Sequence, residues 1–319
     1  MNDALTESLN HPAGRLAEIL LKRLVSNTGG PELAEPLRLR LDALVQATGK
    51  FGRLARVRLA SEVALLFERA PAWTEQNIVP LFNWSSRDAA DAWSARRYAN
   101  YIGSPKLFGL TKGPFLELLR KPDLSEDDLR TYAGWLAAIE IANQSGKTAY
   151  PITAIEARSA LRQAGAKSLP NVAHRLAVEM ASAKPDAKVE TWNTVVGPAF
   201  QAIWPIDIDL QTPAATFSLV HILRGAGAAF PQAAKVIIPF IRSEDPRNHT
   251  SVYSLSQAED ILFSTSPESV LDLAAALVGE ASAGSVYGLD AILKRVRHYA
   301  PEFANSKKFQ KLISLSQTY

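Results

Sequence analysis

Apolar residues recur along this chain at three- and four-residue steps, the spacing of one helix face. Pro12–Val25 carries Leu16, Ile19, Leu20 and Leu24 in that register. Glu32–Ala47 repeats it with Leu33, Leu37, Leu41, Leu44 and Val45, and Arg53–Arg69 with Leu59, Val63, Leu66 and Phe67. The polar and glycine-bearing stretches Asn27–Gly30 and Gly49–Gly52 read as the loops between them. Later helices are announced by their caps. Ser104-Pro105, Thr212-Pro213 and Ser266-Pro267 place a hydroxyl before a proline, whose missing N–H costs nothing at the first helical position. Ser85 with Asp88, and Ser254 with Gln257, have the spacing of capping boxes. Ser125 precedes Glu126, Asp127 and Asp128, three carboxylates at the positive end of a helix that runs to about Asn143. The one strand-like alternation is Ile206-Asp207-Ile208-Asp209-Leu210, and Lys235–Ile241 reads as a helix bent at Pro239.

The expectation is an all-α protein, an irregular or HEAT-like array of antiparallel helical hairpins. It is read as one elongated domain over 1–319 with a subdivision point near 144–151. Pro80, Pro114, Pro198 and Pro239 lie inside apolar helical text at intervals near multiples of 40, which suits a two-helix repeat.

Three of the six tryptophans fall between Trp73 and Trp93. Such density marks a packing centre in which each indole N–H needs a partner. Ser85 divides the stretch into two short helices with Trp84 at the junction.

Composition narrows the chemistry. The chain has 319 residues, 47% of them hydrophobic and 21% charged, a balance that suits a globular protein with a sizeable core. The absence of cysteine removes disulfides, thiolate nucleophiles and cysteine-bound metal. No apolar run reaches membrane-spanning length, and the N-terminal text has no basic region followed by an apolar core, so a cytoplasmic protein without membrane contact is expected. The net charge of +3 is too small to argue for nucleic acid by itself.

No catalytic signature is complete. Gly146-Lys147-Thr148 resembles the end of a phosphate-binding loop, but position 141 is isoleucine where that motif needs glycine. Gly225-Ala226-Gly227 reads as a helix end, and the five histidines show no paired metal spacing. Asp207 and Asp209 could take a divalent cation, although two solvated carboxylates are the simpler reading. Glu244, Asp245, Arg247 and His249 share one polar loop, a candidate functional loop. An enzyme would need that loop and the Asp207–Asp209 pair to converge. Arg38, Arg40, Lys50, Arg53, Arg56 and Arg58 stand against the single acid Asp42, and Arg96-Arg97 follow the tryptophan cluster. Arg53, Arg56, Arg58, Arg96 and Arg97 form a candidate nucleic-acid or partner surface, with solvated faces of amphipathic helices as the simpler alternative.

The succession Leu9-Asn10-His11-Pro12-Ala13-Gly14, Trp73-Thr74, Pro80-Leu81-Phe82-Asn83-Trp84, Trp93, Phe230-Pro231 with Pro239, and His249-Thr250-Ser251-Val252-Tyr253 resembles a known helical region. That region, of unassigned function, lies C-terminal to a sirtuin-like domain in bacterial proteins, several of them associated with anti-phage defence. The resemblance implies a sensing, regulatory or scaffolding module. NAD chemistry in such proteins belongs to the sirtuin-like half, which has no counterpart here, so no cofactor is carried over. The expected function is a non-enzymatic helical scaffold or binding module with another protein as partner. The alternative is nucleic-acid binding through the basic surface.

Overall fold

The computed structural model describes residues 4–26, 33–99, 101–243, 250–281 and 286–316. The fold is all-α, and among the described residues the only β contact is an isolated bridge between Val286 and Ser316. The chain divides into two compact units, residues 1–128 with 149–152, and residues 129–148 with 153–319.

Unit 1 contains α1 (Ala4–Leu9), α2 (Pro12–Ser26), α3 (Glu35–Gln46), α4 (Gly49–Ser61), α5 (Val63–Arg69), α6 (Pro71–Asn77), α7 (Ala89–Arg96) and α8 (Pro105–Leu118). The helix α9 (Glu126–Gln144) starts in unit 1 and belongs to unit 2 from Leu129 onward. Unit 1 is organised around α4, which packs against α1, α2, α3 and α7. Leu54, Ala55, Leu59 and Ala60 of α4 are fully buried, and Val57 nearly so. A helix covered on this many sides has almost no solvated face. The stretch Gly49–Gly52 is therefore the first turn of α4 and not a loop. Gly52 is required there: a Cβ would lie 1.8 Å from the Ala47 carbonyl oxygen. The run Arg53–Arg69 is two helices, broken at Glu62 between α4 and α5.

The tryptophan stretch packs as expected. Trp73 and Trp93 are buried and Trp84 is half-buried. Each indole N–H donates: Trp73 to Asp42 Oδ1 at 2.6 Å, Trp84 to the Pro114 carbonyl at 2.9 Å, Trp93 to the Phe82 carbonyl at 2.9 Å. Trp93 meets Phe82 edge-on at 4.9 Å, and the Lys121 ammonium sits 4.4 Å from the Trp84 ring. The capping expected at Ser85 is absent, since α7 begins at Ala89 and Ser85 Oγ bonds Asn83.

Unit 2 continues with α10 (Ala154–Ala164), α11 (Leu169–Ser182), α12 (Lys188–Thr191), α13 (Gly197–Ile203), α14 (Pro213–Gly225), α15 (Phe230–Ile237), α16 (Thr250–Ser256), α17 (Asp260–Thr265), α18 (Pro267–Val278), α19 (Leu289–Tyr299) and α20 (Lys307–Leu315). The most extensive helix pair is α11 with α14, whose facing residues Val172, Leu176, Leu219 and Val220 are fully buried. Between α12 and α13 the helix widens to a π turn over Trp192–Val196. Pro198 explains it, because a proline inside a helix lacks the N–H and its ring clashes with the carbonyl four residues back. Gly197 sits in the same turn, where a Cβ would be 2.7 Å from the Trp192 carbonyl oxygen.

Several local expectations are corrected. Ile206–Leu210 is not a strand but extended chain closing into a 3-10 turn, with Ile206 and Ile208 exposed. Ser254 lies inside α16 and caps nothing. Ser104 does cap α8 through the Leu107 N–H, whereas Thr212 and Ser266 make no side-chain cap bond. Pro239 falls in a 3-10 turn that follows α15, the bend that it predicted. The four spaced prolines occupy dissimilar places: Pro80 and Pro239 in 3-10 turns, Pro114 inside α8, Pro198 beyond the π turn.

Candidate functional site

The predicted arginine surface is placed in unit 1, but most of its charge is consumed internally. Arg56 is buried on α4, where Nε donates to Asp88 Oδ2 at 2.6 Å and Nη1 to the Val45 and Ala47 carbonyls at 3.0 and 2.8 Å. Arg96 is also buried, and Nη2 donates to the Tyr101 and Ile102 carbonyls at 2.7 and 3.0 Å. Neither guanidinium is a surface cation, which corrects the sequence reading for both. Arg53 pairs in fork geometry with Asp91 at 2.5 and 2.9 Å, and that carboxylate holds the guanidinium pKa above its ordinary value. Arg58 bonds Glu62 at 2.8 Å and Ser61 at 2.9 Å, and Arg97 bonds Asp128 at 3.1 Å and lies over the Tyr98 ring at 4.6 Å. Lys50 pairs with Glu7, and its hydrogen bond lowers the Glu7 pKa. Arg38 pairs with Asp42, while Arg40 has no ion-pair partner among the described residues. The nearby text offers the single acid Asp42, whereas the balancing acids Asp88 and Asp91 come from the N-cap and first turn of α7, more than 30 residues on.

The Asp207–Asp209 pair lies in unit 2 beside a polar cavity of about 320 Å³ that Ser159, Arg162 and Gln163 also line. Arg162 bonds Asp207 at 2.5 Å, so a cation already occupies that carboxylate. Among the described residues no group of three or more His, Asp or Glu side chains is arranged to hold a metal. Glu244, Asp245, Arg247 and His249 lie outside the described residues. His221 packs its ring 4.5 Å from Phe217. Burial, then Arg224 and His174, lower its pKa.

A concavity in unit 1 has no counterpart in the sequence reading. A cavity of about 590 Å³ is lined by Leu5 and Leu9 of α1, Ala64, Leu65 and Glu68 of α5, and Tyr98 and Tyr101. A second, of about 480 Å³, lies between α2 and α5, with Leu21 and Val25 on one wall. Arg58, Glu62 and Leu65 line both, so the two adjoin along one grooved face of unit 1. Each has the volume of a ligand- or peptide-binding cleft. Leu9, Val25, Tyr98 and Tyr101 remain 41%, 46%, 52% and 50% exposed along it. Burial and the neighbouring Glu68 carboxylate raise the Tyr101 phenol pKa. The signal available in the sequence was the pair of tyrosines in the polar text Arg96-Arg97-Tyr98-Ala99-Asn100-Tyr101, which the adjacent arginines overshadowed.

Comparison with known proteins adds little chemistry. No protein-family model matches the chain. It is similar to y4cA, an uncharacterized protein of Sinorhizobium fredii, at 22% identity over 320 residues and 98% of its own length. The chain spans 26% of the length of that relative.

Proposed function

We propose that this chain is a helical binding module without catalytic activity of its own, acting as a scaffold or regulatory unit for another protein. The groove of unit 1 carries the reading. It joins two adjacent concavities, lined by apolar and charged side chains, along which four apolar or aromatic side chains, Leu9, Val25, Tyr98 and Tyr101, stay half-exposed. Exposed apolar surface concentrated in a cleft is the signature of an interaction site. The similarity to one quarter of a much longer protein supports the same reading, since there the matching segment stands beside other segments of polypeptide. A role in a bacterial defence system follows from the resemblance to sirtuin-associated helical regions, and a cytoplasmic setting goes with it. No helix among the described residues is long and apolar enough to cross a membrane. The internal pairing of Arg53, Arg56, Arg58, Arg96 and Arg97 weighs against a phosphate-tracking surface at that place.

The test is affinity capture from the native cell, with and without nuclease, using the wild-type chain and a Leu9→Glu/Tyr98→Glu variant. Both substitutions fall on half-exposed positions and leave the core intact. The reading expects a discrete protein retained by the wild type in both conditions and lost with the variant. Retention that vanishes with nuclease, or that ignores the variant, sinks it.

A further inference from the structure

Beyond the groove, unit 2 presents a charged face of a different kind. The sequence of α20, KKFQKLISL, holds three lysines and no carboxylate. Phe309 and Leu312 turn inward and are buried, while Lys307, Lys308 and Lys311 are exposed. At 100° per residue the three lysines fall within about one third of the helix circumference. Lys307 and Lys311 stand one turn apart, about 6 Å along the axis. Arg297, on the neighbouring α19, is exposed with its guanidinium 5.5 Å from the Phe309 ring, which fixes it beside α20.

Three features separate this face from the arginines of unit 1. Among the described residues Arg297, Lys307 and Lys311 make no ion pair with a carboxylate, whereas each of Arg53, Arg56, Arg58 and Arg97 does. Lys308 bonds Asp272, but both side chains are about 40% exposed, and such a pair is weak and screened, easily exchanged for another anion. Lys307 and Lys308 also occupy the first turn of α20, where cations oppose the helix dipole, so helix stability does not account for them.

We propose that the face formed by Arg297, Lys307, Lys308 and Lys311 binds the phosphate backbone of nucleic acid without regard to sequence. Cations on a rigid helix at one-turn spacing suit backbone contact and not base readout, and the exposed amide of the helix, Gln310, is held by the Ala304 carbonyl. An anionic bilayer is the poorer fit, because the apolar side of α20 is packed inside the unit and cannot insert between lipids.

The experiment is fluorescence anisotropy of the full chain with a labelled 30-base-pair DNA of arbitrary sequence, at 50 and 200 mM salt. Four phosphate contacts give a slope of about −3.6 in log K against log salt, a loss of about 150-fold between those concentrations. Lys307→Ala and Lys311→Ala each reduce that slope by about 1. An Arg53→Gln control leaves binding unchanged, and circular dichroism confirms that all variants remain folded. No binding at 50 mM salt overturns the proposal. So does binding lost in the control but kept in a Lys307→Ala/Lys311→Ala variant, or association with phosphatidylserine-containing vesicles in the absence of DNA binding. None of these outcomes bears on partner capture by the groove of unit 1.

Discussion

Replacing Arg56 by methionine is the sharpest test of the architecture of unit 1. The substitution keeps a long unbranched stem on α4 and removes the guanidinium. Asp88 is then a carboxylate 7% exposed without its ion-pair partner, and the Val45 and Ala47 carbonyls each lose a donor. Breaking one side of a buried ion pair costs about 3–5 kcal/mol. Each lost backbone contact adds about 0.5–1.5 kcal/mol, part of which methionine recovers by filling the space. A net loss of about 4 kcal/mol is a large share of the 5–15 kcal/mol that typically holds a domain together. With a urea dependence of about 2 kcal/mol per molar, the midpoint of unit 1 falls by about 2 M. Urea unfolding followed by tryptophan fluorescence reads it as a shift of the part of the signal from Trp73, Trp84 and Trp93 of unit 1, with the part from Trp135, Trp192 and Trp204 of unit 2 unshifted. An Arg56→Met/Asp88→Leu double variant removes both charges and is expected to be at least about 2 kcal/mol more stable than the two single losses added together. A loss below about 1 kcal/mol for Arg56→Met would refute the reasoning. That is the cost of trimming a solvated arginine, and the basic-surface reading would return.

Three further outcomes follow from named contacts. Gly14→Ala places a Cβ 2.0 Å from the Ser8 carbonyl oxygen, so α1 must shift off α2, lowering stability by about 1–3 kcal/mol in thermal unfolding; an unchanged melting temperature contradicts the packing. Thr153→Ala removes the capping box in which Thr153 and Glu156 satisfy each other's backbone N–H groups, at about 1 kcal/mol. His221 has a folded pKa below its unfolded value of about 6.5, so the unfolded chain takes up the proton more readily. Its contribution is fully present above that pH and is lost as the pH falls below it. His221→Leu flattens the pH dependence of the unfolding midpoint between pH 7 and 5, and parallel curves for the two proteins would count against this.

Helices were legible where apolar spacing and caps agreed. Pro12–Val25 marks α2 to within a residue, and Ser104-Pro105 marks the start of α8. The text failed where tertiary packing outweighs local signals. Gly49 and Gly52 look like loop residues, yet Gly52 is helical because the chain at Ala47 passes too close for a side chain. Ile206–Leu210 alternates like a strand but has no neighbouring strand to pair with, and so settles into a turn. The arginines misled for the same reason. Burial of Arg56 and Arg96 depends on which helices surround α4 and α7, and periodicity along one helix says nothing about its far side. The groove was invisible because its walls come from α1, α2, α5 and the Tyr98–Tyr101 stretch, with no spacing rule linking them.

The chain crosses between its two units at three points, after residues 128, 148 and 152. Residues 149–152 are a strap returned to unit 1, where Tyr150 donates to the Gly103 carbonyl at 2.9 Å and meets Phe108 edge-on at 5.6 Å. During synthesis the contacts of the strap with unit 1 form only after residue 152 has been made, by which time all of α9 has been made. No single cut releases either unit intact, and a fragment ending at residue 128 lacks the strap. The last piece of the first unit is thus encoded after the first helix of the second.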